Sequence, residues 1–70
     1  MTETQKRVLQ LLARDKARIE SPRYRAYDLL PNGGRVDYRT VHRLLALGLI
    51  QRDPYTYHYT ITAEGRKEAK

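Results

Sequence analysis

The residues able to do chemistry in this chain are mainly arginines and tyrosines, with two histidines. Ten of its fourteen basic residues are arginine, and no lysine falls between Arg18 and Arg52. A guanidinium is a planar fork of donors that can engage two phosphate oxygens, or guanine O6 and N7, at once; an ammonium cannot. With a formal net charge of +6, this usage points to a polyanionic partner, although charge alone serves solubility equally well. Tyr55, Tyr57 and Tyr59 alternate just after Asp53-Pro54, and they are half of the six tyrosines in a chain without Phe or Trp. Such alternation fits a half-buried strand or a surface on which bases stack.

The same inventory argues against catalysis. The only serine, Ser21, precedes a proline and reads as a helix cap. There is no cysteine, hence no disulfide and no thiolate zinc site. His42 and His58 have no nucleophile or carboxylate partner by spacing, and two histidines make no metal site alone. Asn32-Gly33-Gly34 lacks the Lys-Ser/Thr of a phosphate-binding loop. The expectation is a non-enzyme with no cofactor, metal or small-molecule effector. The N-terminus has no apolar run behind its charges, and no stretch reaches the roughly 18 apolar residues of a membrane span. A soluble, cytoplasmic, nucleoid-associated protein is expected.

Seventy residues suffice for one small domain, so Leu, Ile, Val and Tyr are expected in the core almost everywhere they appear. Thr2 and Gln5 form a capping-box pattern, and the spacing predicts a first helix over about 3–18. Ser21, Pro22, Ala26, Leu29 and Leu30 predict a second over about 22–30, ended by Pro31 and the Asn32-Gly33-Gly34 turn. Asp37 as N-cap, a Val36–Val41 staple and Gly48 past the end predict a third over about 38–47. The period then changes from 3.6 to 2. A hairpin over 49–61 is expected, with a type I turn at Asp53-Pro54 setting Arg52 opposite Tyr57 and Ile50 opposite Tyr59. Thr62 caps a short terminal helix over about 63–69. The expected class is α+β, mostly helical.

Residues 36–66 resemble the recognition helix and wing of small winged helix-turn-helix regulators related to the multiple-antibiotic-resistance repressors. The features carrying the resemblance are Thr40-Val41, the run from Leu44 to Ile50, and Tyr-x-Ile-Thr-x-x-Gly from Tyr59 to Gly65. It implies a third helix in the major groove of double-stranded DNA and a wing over the adjacent backbone or minor groove. Tyr38, Arg39, Thr40, His42 and Arg43 are then the candidate groove residues. Arg23 and Arg25, with the N–H groups opening the second helix, are candidates for phosphate, as is Arg35 in the glycine turn. Arg52 and Tyr55 are the wing candidates. Of the three alternating tyrosines, Tyr59 is expected on the core, Tyr57 beside Arg52, and Tyr55 toward the partner. Self-association on DNA stays open. So does a winged-helix module that binds a protein or RNA, in which Tyr55 would anchor the contact.

Overall fold

A computed structural model describes residues 1–14, 17–23, 25–31 and 34–70. In chain order these form α1 (Glu3–Leu12), β1 (Arg18–Arg23), β2 (Ala26–Leu30), β3 (Gly34–Val36), α2 (Tyr38–Ala46), β4 (Ile50–Arg52), β5 (Tyr59–Ile61) and α3 (Ala63–Ala69). The class is α+β, and the strands form one antiparallel sheet in the order β3-β2-β1-β5-β4.

The main correction to the sequence reading is the second helix. Residues 22, 23 and 25–30 are not helical: β1 and β2 pair antiparallel, and β3 adds a further strand. The sheet therefore has five strands rather than the two of a wing alone. The reason lies in the period. Tyr27 and Leu29 are buried while Asp28 between them is not, and Ile19 is fully buried between less buried Arg18 and Glu20. That is strand alternation, and it lets Ile19 pair with Leu29 on one side and Tyr59 on the other. Ser21 caps no helix; its hydroxyl donates to the Arg23 carbonyl at 3.2 Å. Pro22 has no N–H for the ladder, and the β1–β2 register shifts between Glu20 and Arg23. The first helix is also shorter than expected, ending at Leu12 with Ala13 as C-cap. The expected continuation through Asp15 and Lys16, and the turn at Asn32 and Gly33, lie outside the described residues.

Other local signals act as read. Gln5 N–H donates to Thr2 Oγ1 at 3.1 Å and Thr2 N–H to Gln5 Oε1 at 3.2 Å, closing the capping box. Arg39 N–H donates to Asp37 Oδ1 at 2.9 Å. Gly48 turns the chain out of α2 at φ 73°.

Ile19, Tyr27, Leu29, Val36, Ile50 and Ile61 share the inner sheet face and join Val8, Leu9 and Leu12 of α1 and Val41 and Leu44 of α2 in one core. Arg35 pairs with Asp28, and Gln51 with Thr60, on the outer, polar face. The Tyr59–Gly65 motif has a clear physical role. Thr62 Oγ1 donates to the Gly48 carbonyl at 2.7 Å and accepts from Gly65 N–H at 3.0 Å. A Cβ at Gly65 would run into the Leu49 carbonyl oxygen. Thr62 and Gly65 thus lock α3 onto the loop after α2. Arg66 reaches across to the Ala13 carbonyl at 3.1 Å and ties α3 to the end of α1.

Candidate nucleic-acid interface

α2 carries most of the candidate residues. Its 3.6-residue period buries Thr40, Val41 and Leu44 and leaves Arg39, His42, Arg43 and Ala46 exposed. Thr40, unlike the other candidates on this helix, lies on the core side at 8% exposure. Tyr38 is half-buried and forms a platform. The Arg25 guanidinium lies 4.8 Å from its ring centre and that of Arg39 5.9 Å, and His42 meets it edge-on at 5.8 Å. Hydrogen bonding to Tyr38 first, with the Asp37 carboxylate nearby, raises the Arg39 guanidinium above its already high ordinary value. Arg39 is therefore a permanent cation on the exposed face.

From Tyr38 the aromatic contacts run inward. His42 Nε2 lies 3.4 Å from the Tyr27 hydroxyl, and Tyr27 packs against Tyr59 with centroids 5.9 Å apart. Tyr59 is half-buried against the core, so β5 is coupled through Tyr27 to the exposed face of α2.

The turn between β4 and β5 differs from expectation. Asp53 Oδ1 accepts from Tyr55 N–H at 2.8 Å and Thr56 N–H at 3.3 Å, and the Asp53 carbonyl accepts from Tyr57 N–H at 2.8 Å. The turn is thus one helical turn rather than a tight β-turn, and the strands rejoin when Asp53 N–H meets the His58 carbonyl. Arg52 pairs with Tyr59 and Ile50 with Ile61, a register two residues from the expected one. An even shift leaves every side chain on its own face, so Tyr59 still points inward. The return is made at Tyr57, with φ 62°. Its ring lies under the Arg52 guanidinium at 4.6 Å. Tyr55 is left bare at 91% exposure.

Register places these groups relative to one another. The β1–β2 tip, the end of β3 that leads into α2, and the β4–β5 turn all lie at the same end of the sheet. Two contacts close the gaps: Arg25 on Tyr38, and His58 Nε2 to Glu20 Oε1 at 2.8 Å. Arg23, Arg25, Tyr38, Arg39, His42, Arg52, Tyr55 and Tyr57 thereby border one end of the molecule. Asp37 and Asp53 lie there too, each turned onto backbone N–H groups.

Two candidates stand apart. Arg35 projects from the outer sheet face, although it lines one depression of about 470 Å³ with Arg23 and Arg25. Arg43, one turn after Arg39 on α2, lines a cleft with Glu64 and Glu68. The links of Tyr27 to His42 and of Arg25 to Tyr38 were not foreseen. The available signal was the Tyr27-Asp28-Leu29 alternation, which places Tyr27 on the inner face of a strand.

Among the described residues, no group of three or more His, Cys, Asp or Glu could hold a metal ion, and no helix is long and apolar enough to cross a membrane. No protein-family model, curated protein or solved structure matches the chain.

Proposed function

We propose that this chain binds double-stranded DNA with the end of the sheet just described, as a small transcriptional regulator of winged-helix type. The observation that carries the reading is the convergence of three segments distant in sequence, 23–25, 38–42 and 52–57, on one end of the molecule. Each brings arginine, tyrosine or both. α2 has nine residues, about 13.5 Å at 1.5 Å each, enough to lie in a major groove about 12 Å wide. Arg39 and His42 then face base edges, with Ala46 leaving room for the groove floor. Arg23 and Arg25 take phosphates on one side, and Arg52, Tyr55 and Tyr57 follow the backbone or minor groove on the other. Arg43, turned toward α3, drops out of the base-reading set.

The order α2, Gly48, β4, turn, β5, α3 supports the winged-helix comparison. The departure from it is the helix before α2, whose place is taken by the β1–β2 hairpin. The arginines expected on that helix sit at the hairpin tip instead, beside the start of α2.

Selection from a random duplex pool, followed by salt titration of the selected site, tests the reading. If Arg23, Arg25 and Arg52 each neutralise one phosphate, log K against log salt falls with a slope of about −2.7. Retention of no duplex at low salt, or binding that ignores salt, would sink it.

A further inference from the structure

The large apolar side chains left exposed among the described residues fall in two places. Tyr55 and Tyr57 are on the wing; Met1 and Leu47, at 57% and 43%, line a cleft of about 610 Å³ between the start of α1, the end of α2 and α3. Arg43, Glu64 and Glu68 line the same cleft. Glu64 is paired with Lys67 at 3.4 Å. Among the described residues, neither Arg43 nor Glu68 has a side-chain hydrogen bond or ion pair, so a cation and an anion share one cleft without meeting.

We propose that this cleft is a two-fold self-docking surface whose occupant is a second copy of this chain. In a two-fold contact each copy offers the same patch, so residue i meets residue j while j meets i. A patch with one unpaired guanidinium, one unpaired carboxylate and apolar groups answers itself under that operation. Arg43 of each copy meets Glu68 of the other, and the Leu47 side chains come together near the axis. A polyanion is repelled by Glu64 and Glu68, and a partner of either single charge leaves Arg43 or Glu68 unanswered. The cleft is lined by Arg43 and Leu47 of α2 and not by Tyr38, Arg39 or His42. Self-docking does not depend on what the arginine-rich end binds.

A contact confined to one such cleft is expected to be weak. Sedimentation of the full chain between about 10 and 500 µM therefore sets the range in which a reversible dimer is expected. Arg43→Glu alone and Glu68→Arg alone are expected to shift the midpoint up by at least about tenfold, because each places like charges opposite one another. An equimolar mixture of the two is expected to associate again, since every pair is then of opposite sign; so is the double variant. Leu47→Ala, which alters no charge, is expected to weaken association and keeps the test open if a charge swap unfolds the chain. A wild-type chain that stays monomeric overturns the proposal. So does a dimer indifferent to both swaps and to Leu47→Ala, or a mixture that remains monomeric.

Discussion

Tyr57 combines an unfavourable backbone with a favourable side chain, and the two can be separated. Its φ of 62° lies in the left-handed region, which costs an L-residue about 1–2 kcal/mol. Its ring holds the Arg52 guanidinium at 4.6 Å, a contact worth about 0.5–1 kcal/mol at an exposed site. Tyr57→Ala keeps the backbone cost and loses the ring, so it is expected to destabilise the chain by about 0.5–1 kcal/mol. Tyr57→Gly also loses the ring, but it removes the backbone cost and adds about 0.5–1 kcal/mol of unfolded-chain entropy. The glycine variant is thus expected near wild type, and above the alanine variant by about 0.5–1 kcal/mol. In a domain of this size 1 kcal/mol moves the melting temperature by about 4–8 °C, so calorimetry or thermal circular dichroism resolves the pair. Adding Arg52→Ala to each completes a cycle whose coupling should match the ring contact. On the selected duplex, Tyr57→Gly should weaken binding about two- to fivefold, because Arg52 loses its support. A glycine variant no more stable than the alanine variant would refute the turn geometry from which the numbers come.

Gly65→Ala should destabilise the chain by about 1–3 kcal/mol, measured by urea unfolding, because the new Cβ meets the Leu49 carbonyl, which is backbone and cannot swing aside. Tyr59→Ala should lower stability by about 2 kcal/mol through the lost packing on Tyr27 and the core, whereas Tyr55→Ala should leave the melting temperature unchanged and lower duplex affinity. Arg39→Ala should relax discrimination at one base position by about 1–3 kcal/mol. Arg23→Ala should weaken all duplexes alike and reduce the salt slope by about 0.9.

What could be read from the sequence follows from where its determinants lie. Caps and helix ends are decided within four residues, so Thr2–Gln5, Asp37, Gly48 and Thr62 were legible. The 18–30 region was not, because two local patterns overlap there. Ser21-Pro22 with Ala26, Leu29 and Leu30 satisfies a helix start and a helical face. Ile19, Tyr27 and Leu29 satisfy a strand. The helical reading leaves a segment of about nine residues, marginal without tertiary packing. The strand reading buries Ile19 between Leu29 and Tyr59, and the second partner is forty residues away, outside any local window. The cleft of Arg43 and Glu68 was hidden for the same reason, since its walls come from three separated helices. The inward placement of Tyr59 survived a two-residue error in register because an even shift keeps the parity of the strand, whereas Tyr55 and Tyr57 are exposed because they lie in the turn.

Replacing the second helix by a hairpin changes how phosphate can be held at this end. A helix start there would offer backbone N–H groups and a dipole to a phosphate, a contact that survives the loss of any one side chain. Among the described residues β1 runs as strand through Arg23 with no helix start, and Pro22 contributes no N–H. Attraction on that side then rests on the guanidiniums of Arg23 and Arg25, one of them carried on the Tyr38 platform that also borders Arg39. On the proposed reading, base-reading and phosphate-holding groups thereby share a ring. Tyr38→Ala is accordingly expected to affect both at once, relaxing sequence preference and lowering salt sensitivity, while Tyr38→Phe, which keeps the ring face, preserves the Arg25 contact. If Tyr38→Ala altered only one of the two, the ring would not be the link between them.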